Sequence, residues 1–149
     1  MDLKIRKVKV EDVAALVELT QQWGYETTAL EVAANLNRIE QANNAEVFIA
    51  EADGKAVGRI FVREHLTLGT APFAEIHDLV VHTDYRKRGI GRLLIEAVKD
   101  WSREKGIALV CLRTNVNRED ANVFYPHIGF NLQKVQNVYD INLYGFYKI

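Results

Sequence analysis

Arg86-Lys87-Arg88-Gly89-Ile90-Gly91 lies between an apolar strand pattern and an amphipathic helix pattern, and the reading of this turn decides how the rest of the chain is arranged. Upstream, Phe73-Ala74-Glu75-Ile76-His77-Asp78-Leu79-Val80-Val81 contains a run of strand formers; downstream, Ile90, Leu93, Leu94, Ala97, Val98 and Trp101 recur at helical spacing. A strand therefore leads through a glycine turn into a helix. Gly89 and Gly91 permit backbone conformations closed to other residues and a close approach to a ligand. The first amides of the helix direct free N–H groups and a partial positive charge at the same place. The natural guest is an anion, and a phosphate fits best.

Working outward, 149 residues match one domain, 1–149, large enough for a core of ordinary size. Hydrophobic residues at 48% and charged residues at 26% describe a soluble globular protein rather than a disordered or membrane chain. A net charge of -1 argues against a general nucleic-acid binder, which needs a basic excess, so any basic site is local. The single cysteine, Cys111, lies in an apolar run and can form no intrachain disulfide, which suits a reducing cytoplasm and a buried, inert thiol. The N-terminus shows no signal-peptide core and no stretch approaches a membrane span, so the expected location is cytoplasmic.

Along the chain, Leu3 to Val8 alternates as a first strand. Glu11 and Asp12 open a helix with Val13, Leu16, Val17 and Leu19 as its apolar stripe and Gly24 as its stop. Thr27 or Thr28 caps a second helix carrying Leu30, Ala33 and Ala34. Glu46 to Ala52 and Ala56 to His65 flank Asp53-Gly54 as a hairpin, with Gly58 as a candidate bulge. After the loop Thr67 to Pro72 come the strand, turn and helix already described, ending at Gly106. Ile107 to Leu112 is a buried strand, Ala121 to His127 a short helix, and Phe130 to Val135 and Tyr139 to Ile149 a terminal strand pair. This order gives a mixed α+β sheet with one parallel crossover.

Two familiar phosphate loops fail on residues. Gly91 is followed by Arg92 and Leu93, not by Lys-Ser/Thr, so a nucleoside triphosphatase is disfavoured. A dinucleotide fold wants a glycine where Leu94 stands and an acid about twenty residues on, and Leu109 to Arg113 has none. What is left is Arg-x-x-Gly-x-Gly with Arg86 and Arg88 as cationic reinforcement for a pyrophosphate, or a basic turn that only links strand to helix.

Three features in order resemble the GNAT superfamily of acyl-CoA-dependent N-acetyltransferases: Ile76 to Val81 followed by Tyr85 to Gly91, the strand Ile107 to Thr114, and Ala121-Asn122-Val123-Phe124-Tyr125-Pro126-His127-Ile128-Gly129-Phe130. The resemblance implies a mixed, mostly antiparallel sheet of about six to seven strands, splayed between the fourth and fifth and flanked by about four helices. It further implies that the amides from Arg88 to Arg92, with Arg86, Lys87, Gly89, Ile90 and Gly91, bind the pyrophosphate of acetyl-CoA. The pantetheine would lie along Leu79, Val80 and Val81, with Asn117 and Tyr125 as further cofactor contacts. Within the superfamily, Arg113 to Ala121 together with the Glu75 region resembles the aminoalkylphosphonate N-acetyltransferases; Arg118 replaces the asparagine common elsewhere.

Acetyl transfer needs a deprotonated amine, a held thioester, an oxyanion donor and a proton for the thiolate. Phe73-Ala74-Glu75-Ile76 is similar to the strand segment of GNAT histone acetyltransferases whose glutamate is the general base, which implies that role for Glu75, and a carboxylate facing a cleft would be desolvated. Asp78 and His77 are rivals. In a regular strand Glu75 and His77 share a face and Asp78 takes the other, unless a bulge exchanges them. Tyr125 is the candidate acid, with core packing beside Phe124 as its structural alternative. A backbone N–H near Leu79 or Val80 would meet the oxyanion. Two ligands, Glu75 and His77, make no metal site, and no metal is expected. His65, His82 and His127 read as surface or capping residues. Arg63, Arg113 and Arg118 are candidates for an anionic group on the acceptor.

The expected activity is direct transfer from acetyl-CoA to a small primary amine in a ternary complex, without a covalent enzyme intermediate. A non-catalytic acyl-CoA module and a protein lysine or N-terminal acetyltransferase are the alternatives. No nucleic-acid or membrane partner is expected. Tyr139, Tyr144, Phe146 and Tyr147 give more aromatic surface than two edge strands need, which fits a homodimer through the C-terminal strands and fits burial within the monomer equally well.

Overall fold

A computed structural model describes residues 1–145, so the end of the last expected strand and two of the expected dimer residues, Phe146 and Tyr147, lie outside the described residues. The chain divides into two compact units, Met1–Arg113 and one beginning at Thr114.

The first unit carries β1 (Leu3–Lys7), a 3-10 turn (Val10–Asp12), α1 (Val13–Gln22), α2 (Ala29–Gln41), β2 (Ala45–Ala52), β3 (Lys55–His65), β4 (Phe73–Val81), a 3-10 turn (Thr83–Tyr85), α3 (Ile90–Glu104) and β5 (Val110–Leu112). The sheet runs β1-β2-β3-β4-β5 in space, antiparallel except for the parallel pair β4-β5. The second unit carries α4 (Glu119–His127), followed by a stretch with neither helix nor strand.

Local chemistry explains most of these elements. Asp53 and Gly54 both take positive φ, 52° and 83°, as a two-residue hairpin turn requires. The Thr28 hydroxyl accepts from Glu31 N at 3.1 Å and caps α2. Glu11 and Asp12 form the 3-10 turn rather than the first turn of α1. There Asp12 receives two hydrogen bonds from Arg6, at 2.8 and 2.9 Å, and one from Lys9 N at 2.8 Å. Burial works to raise the Asp12 pKa, but these donors outweigh it and hold the carboxyl below its ordinary value. Asp12 therefore favours folding above that ordinary value, and the contribution is lost as pH falls through the lowered one.

The sheet is covered on both faces. Leu16 of α1 packs with Val47 and Ile49, joined by Val32 and Ile39 of α2 and by Phe61. The buried stripe of α2 is thus built on Val32, Leu36 and Ile39; Leu30, expected there, is 82% exposed, because the helix turns its other side to the sheet. On the opposite face α3 buries Ile90, Leu94, Ile95, Val98 and Trp101. It approaches the sheet at Gly58, where an added β-carbon would stand 3.3 Å from Ile90 Cγ2 and from Leu94 Cδ1. Gly58 is therefore a close-approach glycine, and the bulge lies beside it at Val57, the residue that the β2-β3 pairing skips. Gly58→Val is expected to cost about 1–3 kcal/mol through overpacking. A thermal melt should show Tm falling by about 2–4 °C per kcal/mol.

Two expectations fail. The sheet has five strands among the described residues, not six or seven, because Phe130–Val135 and the described part of the last expected strand form no strand. An alternating pattern alone does not make a strand, which exists only where a ladder forms. Cys111 is half-buried on the edge strand β5 rather than enclosed.

Candidate functional site

Strand β4 changes character halfway along. Its parallel pairing with β5 covers Ala74, Glu75 and Ile76, opposite Val110, Cys111 and Leu112, and stops there. Against β3, Phe61 faces Asp78 while Val62 faces Ile76, so His77 is an extra residue. This bulge decides the side chains. Arg59, Phe61 and Arg63 alternate onto one face of β3, and their partners Val80, Asp78 and Glu75 share it. Glu75 and Asp78 thus stand on the same face, as a bulge would require and a regular strand would forbid.

The two acids are held differently. Glu75 is buried; one oxygen accepts from Arg113 Nη1 and the other pairs with His65 Nδ1 at 3.2 Å. The His65 ring stacks on Phe73 at 4.6 Å. Asp78 pairs with Arg59 Nε at 3.2 Å, and the buried Arg59 also donates to the Leu16 carbonyl at 3.0 Å and to Thr20 Oγ1 at 2.5 Å. Burial raises the Asp78 pKa despite Arg59, so the folded chain binds that proton more tightly than the unfolded one. This group favours folding below the ordinary carboxylate value and loses its contribution as pH rises through the raised one. His77 lies against Phe61 at 5.2 Å between ring centres, and desolvation lowers its pKa despite the nearby Glu75, leaving a neutral imidazole at neutral pH.

Beyond the bulge the strand pairing of β4 is, among the described residues, with β3. His82 N donates to the Val57 carbonyl at 2.8 Å. Backbone alternation from that bond turns the N–H and C=O of Leu79 and Val81 toward the edge that β5 has left. Arg86 Nε donates to the Val81 carbonyl at 3.2 Å, joining this edge to the glycine turn. In the turn Lys87 and Gly89 take φ of 61° and 81°. Gly89 is the N-cap of α3 and offers no side-chain acceptor, so the first amides of the helix stay available. A β-carbon placed on Gly89 would meet nothing within 4 Å, so the glycine is required there by its positive φ and not by crowding. Arg88 lies over the Tyr85 ring at 5.3 Å. Gly91 and Arg92 follow in the first turn of α3.

In the second unit Tyr125 lies on α4, edge-to-face with Phe124 at 5.2 Å and with Phe130 at 5.7 Å. Burial, with a smaller push from Asp120, raises its phenol pKa against the pull of Arg118, so the proton stays on at neutral pH. Asn117 N donates to Asn115 Oδ1 at 2.9 Å in an exposed turn. His82 caps the 3-10 turn by accepting from Asp84 N at 3.1 Å.

Sequence alone left the company of Glu75 and Asp78 unread. His65, read as a surface or capping residue, and Arg113, a candidate for an anionic group on the acceptor, are both exposed and both reach Glu75, and Arg59 escaped notice. The signals were a charge in the apolar run Ala56 to His65 and the register that sets Arg113 two residues beyond the partner of Glu75. Among the described residues no cluster of three or more His, Cys, Asp or Glu side chains could hold a metal ion, and no helix is long and apolar enough to cross a membrane.

Comparisons with known proteins bear on this geometry. The probable N-acetyltransferase camello of Xenopus tropicalis is 34% identical over 102 residues, which are 64% of this chain and only 42% of that protein. The glucosamine 6-phosphate N-acetyltransferase of Trypanosoma brucei brucei is 28% identical over 153 positions, covering 95% of this chain and 97% of its own length. The crystal structure of the aminoglycoside N-acetyltransferase AAC(6')-Iy in complex with CoA superposes with a TM-score of 0.85 at 23% identity, over 94% of this chain and 95% of that one, and so shares the fold. The profile described as Acetyltransferase (GNAT) domain matches residues 43–132. Since that match spans more than half of its residues, this chain belongs to the GNAT family of acetyltransferases.

Proposed function

We propose that the chain, acting as one domain over residues 1–149, is an acetyl-CoA-dependent N-acetyltransferase that acetylates a small primary amine directly in a ternary complex. The observation that carries this reading is the half of β4 that β5 has left. Its outward backbone at Leu79 and Val81 runs toward a glycine-capped helix start with no side-chain cap bond. An extended, amide-bearing cosubstrate ending in a pyrophosphate suits that succession of free strand edge and anion site.

When bound, acetyl-CoA supplies the activated thioester carbonyl. The turn Arg86 to Arg92 holds the pyrophosphate through amides and guanidinium groups, and Leu79 to Val81 align the pantetheine, with Asn117 completing the contacts. Glu75, within reach of Arg113 and His65, takes a proton from the acceptor ammonium, directly or through water. The amine nitrogen then forms its bond to the carbonyl carbon while the Leu79 N–H meets the charge developing on oxygen. As the carbon–sulfur bond breaks, the Tyr125 hydroxyl gives its proton to the sulfur and recovers one from solvent.

For the acceptor, the positive side chains around Glu75 favour an amine that also carries an anion. Arg63 stands opposite Glu75 in the β3-β4 register and Arg113 bonds to it. An aminoalkylphosphonate or an amino sugar phosphate has that chemistry. The thiol Cys111 suits a reducing, cytoplasmic setting. The test is release of free coenzyme A thiol with a panel of an aminoalkylphosphonate, glucosamine 6-phosphate, a polyamine, an aminoglycoside and a lysine peptide. Turnover with a phosphorylated or phosphonylated amine is expected. Coenzyme A binding without thiol release from any amine would make the chain a binding module, and turnover of the peptide alone would make it a protein acetyltransferase.

A further inference from the structure

The two carboxylates on the shared face of β4 have partners of opposite kinds. Asp78 pairs with Arg59, whose side chain is 9% exposed and is tied to the Leu16 carbonyl and to Thr20 Oγ1 of α1. A solute reaches that guanidinium only by displacing α1. Glu75 has the reverse arrangement. Its own side chain is 7% exposed, while its partners Arg113 and His65 are 64% and 45% exposed. An acceptor coming from solvent meets these two side chains before it meets the acid.

Both oxygens of Glu75 are engaged, one by Arg113 Nη1 and the other by His65 Nδ1. Removing a partner without replacing it would leave a buried charge unpaired, which is costly. The contact therefore opens readily only for a solute that compensates both ends, with a cation for Glu75 and an anion for Arg113. A guanidinium fork binds a phosphate or phosphonate through two parallel N–H bonds, and a dianion competes well with a single carboxylate for it. Arg63, exposed and opposite Glu75 in the β3-β4 register, adds a second guanidinium on that face.

We propose that Arg113 and His65 form a removable cover on Glu75, and that an acceptor carrying a phosphate or phosphonate a few bonds from its ammonium uncovers the base by exchanging ion pairs. The anion takes Arg113, with Arg63 beside it, and the ammonium takes the place of Arg113 at Glu75. No charge is gained or lost in the exchange. The ammonium ends in contact with the group that receives its proton. An amine without an anion has to compete with Arg113 for the same oxygen, so selectivity for anionic amines is expressed in kcat as well as in KM. This inference rests on the reading of Glu75 as the base, but the exchange of partners is observable without turnover.

Two measurements on the full chain test it. In the first, ethanolamine is the amine and methylphosphonate is supplied as a separate solute. Methylphosphonate should raise kcat for thiol release from acetyl-CoA about tenfold, the effect of removing one charge-assisted contact from the base. Arg113→Gln should show that rise with ethanolamine alone and a higher KM for aminoethylphosphonate, with unchanged far-UV circular dichroism because the Arg113 side chain is mostly exposed. Methylphosphonate that only inhibits, or that leaves ethanolamine turnover as it was, overturns the cover. In the second, the side-chain Nε–H resonances of Arg113 and Arg59 are followed by heteronuclear NMR. Aminoethylphosphonate should shift Arg113 and leave Arg59 in place, and ethanolamine should shift neither. An unmoved Arg113 overturns the exchange even where turnover is found. If Arg113 moves while no amine yields thiol, the exchange stands and the acetyl-transfer reading fails.

Discussion

Tyr125→Phe is expected to lower kcat by about 10²- to 10⁴-fold, the range in which general acids act, with coenzyme A affinity unchanged. The substitution removes one oxygen and keeps the ring that meets Phe124 and Phe130, so α4 loses little packing. What it removes is a donor. A phenol whose pKa is raised by burial holds its proton at neutral pH and can give it to a thiolate as that charge appears. Single-turnover kinetics separate the two outcomes, because loss of an acid slows the chemical step without changing substrate binding. Unchanged turnover would leave Tyr125 a packing residue.

Glu75→Gln should reduce kcat/KM about 10²-fold or more, with the largest loss at low pH, where the acceptor amine is mainly protonated and needs a base most. The amide keeps the size of the buried side chain but cannot take up the proton, and it exchanges a charge-assisted contact with Arg113 for a neutral one. Asp78→Asn is the paired control. Asp78 shares the face of Glu75, yet its carboxylate is committed to Arg59, which is anchored in turn to Leu16 and Thr20 of α1. A smaller loss is therefore expected there. If Asp78→Asn alone reproduced the full loss and its pH dependence, the base would be Asp78. His77→Gln completes the comparison, since a neutral imidazole can also accept a proton.

The features that sequence made legible are those set by near neighbours. Positive φ at Asp53-Gly54 fixes the hairpin, the Thr28 hydroxyl fixes the start of α2, and Gly89 before Ile90 fixes the start of α3. The features it hid depend on register across strands. Which face Asp78 takes follows from one unmatched residue in the β3-β4 ladder, and no pattern within β4 announces it. The company of Glu75 comes from His65 on β3 and Arg113 just past β5, brought together by pairing over long sequence separations. Period-2 alternation after Phe130 led to two strands that the described residues do not form, because alternation records what a strand would need and says nothing of where the partner lies.

The bulge at His77 has a meaning in terms of insertion and deletion. The two halves of β4 are in different frames against β3, and His77 is the one-residue shift between them. Its side chain is exposed, so another residue there preserves the frame. Deleting the position would close the ladder: Phe61 would still face Asp78 and Val62 would still face Ile76, now as consecutive pairs, so Glu75 and Asp78 would keep one face by plain alternation. What the chain would lose is the extra residue that puts two positions between the carboxylates where a regular strand puts one, together with the added local twist of a bulge. His77 therefore sets the distance between the two acids along β4 and not the face they share, whether or not the imidazole takes a proton.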